Sequence, residues 1–172
     1  MSIKSNLIIA MAAAALGTTS VAAAPVSSPT PPPGRALLLI PLTLTKIDDL
    51  SFGSVIPSPV SGTVVINAVT GARSVAGGVT EVPSDVGQRA YFGGAGSPNQ
   101  QVIMALTPAT ILTDGLGNNI SVLSMSLDGP ATRTIDPVDN TFYVGVGGVL
   151  QIDADQAEGL YSATYDLTAD YQ

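Results

Sequence analysis

The sequence predicts an all-β protein, a mostly antiparallel β-sandwich, and three observations carry that expectation. The first is the end of the chain, Leu160 to Gln172, where Tyr161, Ala163, Tyr165, Leu167, Ala169 and Tyr171 alternate with Ser162, Thr164, Asp166, Thr168 and Asp170. A period of two is the mark of a strand with one face on a core and the other in water. The second is a succession of ten or so short apolar runs, separated by Gly, Pro, Asn and Asp at intervals of about eight to twelve residues. The third is the lack of any amphipathic helical period beyond the first residues. Such spacing signals a sandwich, with a closed barrel as its neighbour in pattern.

The chain opens with Lys4, an apolar run from Leu7 to Leu16 and the small residues Val21-Ala22-Ala23-Ala24. This is the layout of a cleavable signal peptide over residues 1–23, with an apolar run too short to span a bilayer. Cleavage after Ala23 is expected, because a cut after Ala24 would place Pro25 directly after the broken bond. Residues 24–35 form a proline-rich linker that favours an extended polyproline arm and cannot join a ladder. Residues 36–172 are left as one domain, long enough to bury a core. No later apolar run is long enough to be a stable membrane span.

Within the domain, Arg35 to Lys46 is the most apolar stretch, with Ile40, Leu42 and Leu44 on one face and Leu37 and Leu39 on the other. Pro41 removes a ladder donor, so this strand lies at an edge or bends. The portion from Leu42 onward reads as the first strand, and Ala36 to Ile40 as a segment available to another subunit. Leu50 and Phe52 share a face, with Phe52 assigned to the core and Gly53 permitting a bulge or close approach. Gly62 to Val69 and Ala72 to Val75 read as a hairpin turning at Thr70-Gly71, with Gly77-Gly78 as a second turn before Val79 to Val82. Residues 83–88 read as loop. Arg89 to Gly93 and Gln101 to Leu106 are expected to pair through the turn-rich residues 94–99. Thr110 to Thr113 and Asn119 to Leu127 form another hairpin. Phe142 to Gly145 and Val149 to Ile152 are read as two strands broken at Gly147-Gly148, and Asp153 to Glu158 leads into the last strand.

Composition excludes more than it assigns. With six Lys and Arg against thirteen Asp and Glu, the chain lacks the clustered positive charge that nucleic acid binding needs. It has no cysteine, so neither disulfides nor thiolate chemistry is available, and no histidine, which removes the Ser-His-Asp and Cys-His constellations. A carboxylate pair of glycosidase type, for which Asp136 and Asp153 are the candidates, would need both acids in one cleft. The acidic turns at Asp114 with Asn118 and Asn119, Asp136 with Asp139, and Asp153 with Asp155 and Glu158 lack the calcium-loop pattern, and Asp or Asn beside Gly satisfies its own turn. Gly93, Gly94 and Gly96 precede a strand-like segment rather than a helix, so they do not form a phosphate loop. The expectation is a protein that is not an enzyme and holds no cofactor or metal.

The terminal alternation carries the functional reading. Eleven residues at roughly 3.3 Å would run about 36 Å, and a strand of that length with a bare edge invites pairing with another chain. Gly159 is fourteenth from the end and Tyr171 penultimate, with alternating apolar residues between them. This spacing resembles the carboxyl-terminal signature of chaperone-usher pilus subunits. Together with Leu50-x-Phe52-Gly53, the Gly-Gly pairs and Gly159-x-Tyr161, it resembles the bacterial domain-of-unknown-function family 4402 over roughly Leu42 to Tyr171, and more distantly the spore-coat-U type of secreted subunit.

The resemblance implies an immunoglobulin-like sandwich lacking its last strand. It implies Gly159, Tyr161, Ala163, Tyr165, Leu167, Ala169 and Tyr171 as the assembly strand, and Leu37, Leu39, Ile40, Leu42 and Leu44 as the candidate donor. It further implies a periplasmic chaperone and an outer-membrane usher as partners beside other copies of the chain, with export through the periplasm of a Gram-negative cell to the surface. The rival expectation is a self-complete monomeric adhesion or ligand-binding sandwich that pairs its own Leu37 to Thr45 against the terminal strand.

Overall fold

The computed structural model describes Thr30 and residues 33–172. The expected signal peptide lies outside the described residues, as does most of the linker. Residues 33–36, at the end of a first unit comprising residues 1–36, are exposed and carry no helix or strand. The second unit, residues 37–172, is a β-sandwich of ten antiparallel strands. Among the described residues no helix is long and apolar enough to cross a membrane.

The strands are β1 (Thr43–Asp48), β2 (Val55–Ile66), β3 (Arg73–Glu81), β4 (Ala90–Ala95), β5 (Gln101–Thr107), β6 (Ile111–Thr113), β7 (Asn119–Leu127), β8 (Thr132–Thr134), β9 (Thr141–Ile152) and β10 (Asp166–Tyr171). Seven of them form one sheet, in which the long β9 pairs with β4 along Thr141–Val146, with β2 along Gly148–Ile152, and with β7 on its other edge. β1 borders β4, β3 borders β2, and β6 borders β7. The second sheet has three strands in the order β10-β5-β8.

The inequality of the two sheets divides the core. Val102 and Met104 of β5 face Phe142 and Val144 of β9, with Ile135 between them, and Leu42, Leu44, Leu167, Ala169 and Tyr171 close the side of this cluster. Over the other half of β9 the buried cluster is Val64, Val79, Ile120, Leu150 and Ile152, all contributed by the larger sheet or its end. Its cover includes Phe52 and Tyr161, which stand on irregular segments rather than on a facing strand.

Four expectations are corrected here. Gly77-Gly78 is not a turn: β3 runs through it, and the register against β2 shifts between Pro57 and Gly62. A Cβ at Gly78 would collide with the carbonyl of Val60, so these glycines let a bulged strand approach its neighbour. Likewise β9 passes unbroken through Gly147-Gly148, because a Cβ at Gly147 would strike the backbone of Ile66 and Ala68. Both glycine pairs serve close backbone contact.

β4 and β5 are not partners either. β4 joins the larger sheet and β5 the smaller, so residues 96–100 cross the sandwich. Finally, the terminal strand is six residues long, not eleven. Ser162 bridges Thr113 of β6, in the larger sheet, while Asp166–Tyr171 pairs with β5 in the smaller. A segment that changes sheets cannot keep one ladder. The β6–β7 hairpin, the hairpin from β2 to β3 through residues 67–72, and the loop at 83–88 match their expectations.

Candidate functional site

The site is the side of the sandwich bounded by β1, at one edge of the larger sheet, and β10, at one edge of the smaller. β1 pairs only with β4 and β10 only with β5, so each leaves one edge without a ladder partner among the described residues. Residues 43–48 do not pair with the terminal strand, which overturns the internal Leu37–Thr45 pairing considered for a self-complete fold. The alternation of β10 is realised as expected, with Leu167, Ala169 and Tyr171 half-buried and Asp166, Thr168 and Asp170 exposed.

One end of this side is closed by a clasp. The Tyr171 hydroxyl accepts the Ser97 N–H at 2.7 Å and donates to the Ile40 carbonyl at 2.7 Å. Ser97 Oγ in turn accepts the Ile40 N–H at 2.7 Å. Gly96 makes this possible, since a Cβ there would occupy the space of the Tyr171 hydroxyl. Beyond the clasp, Leu37 and Leu38 are 72% and 88% exposed, and Leu39 and Ile40 also stand in solvent. Of the candidate donor residues, then, Leu37, Leu39 and Ile40 are free of the core. Leu42 and Leu44 are committed to their own molecule's core cluster.

The other end opens into a cavity of about 550 Å³, a volume within the usual range of ligand pockets. Its floor is the buried cluster that the smaller sheet fails to cover, including Val64, Ile120, Leu150 and Ile152. One wall is Leu50–Val55 and the other is Gly159–Ala163 with Tyr165. Tyr165 meets Phe92 edge-on at 6.5 Å. Burial, and then the charge of Asp49, push its phenol pKa above the ordinary value. The Tyr161 ring packs on the core while its hydroxyl accepts from Gln156 Nε2 at 3.0 Å and donates to the Ala157 carbonyl at 2.7 Å. Gly159 and Ala163 stand exposed at the mouth. The predicted assembly residues thus divide between the cavity wall (Gly159, Tyr161, Ala163, Tyr165) and the strand edge (Leu167, Ala169, Tyr171).

Arg73 supports the first wall, a role that sequence reading did not assign. Its Nη1 donates to the carbonyls of Phe52, Ser54 and Asp85 at 3.2, 3.0 and 2.7 Å, and its Nη2 to that of Val82 at 3.1 Å. Its Nε faces Glu81 at 3.7 Å without a hydrogen bond. One buried guanidinium therefore ties the Phe52 segment to the loop after β3. The only foreshadowing was an isolated Arg in the otherwise uncharged stretch of residues 62–75.

Two of the acidic turns border the cavity, Asp114 lying beside Gly159 and Glu158 standing in the lining, whereas Asp136 lies before β9. The Asp114 carboxylate accepts the Asn118 side-chain amide and the N–H groups of Leu116 and Asn118, which hold its pKa below the ordinary value. Asp136 is lowered in the same way by the N–H groups of Val138 and Asp139. Asp136 precedes β9 and Asp153 follows it, so the two acids are separated by a strand of about 36 Å and share no cleft.

The family described as Domain of unknown function (DUF4402) matches residues 42–171. No curated protein and no solved structure matches the chain.

Proposed function

The chain belongs to the family described as Domain of unknown function (DUF4402), and from that premise we propose that it is a non-enzymatic structural subunit of a bacterial surface fibre or coat. Assembly proceeds by one copy adding a strand to the next after export from a Gram-negative cell. The observation that carries this reading is the edge of β10, unpaired among the described residues, beside a core that the smaller sheet covers only in part. An added strand would satisfy that row of backbone groups while alternate side chains fill the space beneath, so affinity and register arise together. Each large aliphatic side chain buried this way contributes about 1.5–3 kcal/mol. The absence of histidine and cysteine and the separation of Asp136 from Asp153 argue against hydrolytic chemistry.

While in the periplasm the bare edge calls for cover, which is the part a chaperone and then an usher would play. The test is a gel of native surface preparations in detergent, with and without heating. The proposal expects a multimer ladder that collapses to monomer only at high temperature, and monomer in both lanes contradicts it. A self-complete adhesion module is the second reading, favoured by the pairing of β1 inside its own sheet and by the clasp of Tyr171 on Ile40. That reading expects a monomer at all concentrations.

A further inference from the structure

Beyond its aliphatic floor the cavity carries two further kinds of group. Of the chain's three Phe and five Tyr, Phe52, Tyr161 and Tyr165 stand in its lining. So do two carboxylates, Asp85 and Glu158, the latter exposed next to Gly159. Two more lie close by: Asp114 packs against Gly159, and Asp49 is near enough to Tyr165 for its charge to act on the phenol. Among the described residues no Lys or Arg lines the cavity. Lys46 is held by Asp49, and Arg73, with a side chain only 2% exposed, gives its Nη groups to carbonyls of the Phe52 wall and the loop after β3. The field at the mouth is therefore negative. A cation gains there twice, from the carboxylates and from the aromatic rings, which attract ammonium groups through their π faces.

We propose that this cavity is a binding site for a small amphiphilic cation, whose alkyl or aryl body lies on the floor of Val64, Ile120, Leu150 and Ile152 and whose ammonium head stays at the mouth among Glu158, Asp85 and the tyrosines. The body contributes by leaving water for an apolar surface, at a gain set by the area buried. The head contributes selectivity, because an anion meets the carboxylates without a compensating cation and a neutral molecule leaves their field unused. Floor and walls all come from one chain. The site therefore belongs to the single subunit and stands apart from the fibre reading, which concerns the edge of Asp166–Tyr171.

Calorimetric titration of the full-length protein at pH 7 with decyltrimethylammonium, decanol and decanoate, each below its micelle-forming concentration, holds the apolar body constant and varies only the head. The cation is expected to bind one to one and, at low salt, at least about tenfold more tightly than decanoate, with decanol between them. The margin should narrow as salt is raised, since exposed carboxylates are screened. Glu158→Gln should weaken the cation by about threefold and leave decanol unchanged. Asp139→Asn, which removes a carboxylate just before the other end of β9, should change neither. Ala163→Trp fills the mouth and should abolish binding of all three, and Tyr165→Leu should weaken the cation more than decanol. Thermal melts establish which variants are folded, and the wild-type series with Glu158→Gln decides the matter should the two bulkier changes disturb folding. No binding by any of the three, equal affinity for cation and anion, or a loss on Asp139→Asn as large as on Glu158→Gln overturns the proposal. So does a folded Ala163→Trp that binds as the wild type does. None of these results bears on the multimer ladder, so the fibre reading is tested separately.

Discussion

Replacing Tyr171 by Phe deletes one oxygen and keeps the ring that packs against the Val102 and Met104 cluster. That oxygen makes two hydrogen bonds of 2.7 Å, one from Ser97 N–H and one to the Ile40 carbonyl. At about 1 kcal/mol net for each, the direct loss is about 2 kcal/mol. The two stranded partners differ. Ile40 is exposed and its carbonyl returns to water, whereas Ser97 is 7% exposed and its N–H is left without an acceptor. A buried unsatisfied donor costs about 1–3 kcal/mol, so with about 1 kcal/mol for the exposed Ile40 bond the total should fall at about 2–4 kcal/mol. Urea unfolding of the purified monomer measures it as a lower midpoint at unchanged slope, since the buried apolar area is nearly the same. Limited proteolysis should also cut faster near Ile40. A change below about 0.5 kcal/mol, or one confined to the slope, would refute the view that the clasp holds the Ile40 segment.

Arg73→Met keeps the stem but removes the donors to four carbonyls, and should destabilise the monomer by about 3 kcal/mol or more, read by the same unfolding experiment. Gly147→Ala puts a methyl group against the backbone of Ile66 and Ala68 where β2 meets β9, and should cost at least about 3 kcal/mol or abolish soluble expression. Asp114 and Asp136 have pKa values lowered in the folded state, so their contribution is present above the unfolded carboxylate value of about 4 and is lost as pH falls through the folded one. Melting temperature should therefore decline below about pH 4, and Asp136→Asn, which retains an acceptor oxygen, should make that decline shallower.

What was legible in the sequence was the period of each strand, and what was not was the sheet to which it belongs. Leu167, Ala169 and Tyr171 read correctly as a dry face because alternation reports burial directly. Tyr161, Ala163 and Tyr165 continue the same alternation, yet they lie on a segment crossing from β6 toward β5, a change of partner that leaves no mark in local pattern. The Gly-Gly pairs are ambiguous for a related reason. A missing Cβ suits a tight turn and a close strand contact equally, and only the positions of Val60, Ile66 and Ala68 decide between them. Residues 94–99 have turn composition, but composition does not say whether the chain reverses within a sheet or passes to the facing one. The cavity was beyond sequence reading altogether, because it arises from three strands facing seven and leaving Val64, Ile120, Leu150 and Ile152 partly roofed by loops. Phe52 reads as core from sequence, whereas it is half-buried against the core cluster and its segment forms the cavity's wall.

The most direct test of the central claim, that another copy supplies a strand along the free edge of β10, is amide hydrogen exchange across Asp166–Tyr171 in monomer and in assembled material. In an antiparallel ladder roughly alternate amides point to each side, so those facing β5 should be slow in both states. The outward ones should exchange rapidly in the monomer and slow by at least about a hundredfold on assembly, equivalent to some 3 kcal/mol of added protection. Outward amides that exchange at one rate in both states would contradict the account.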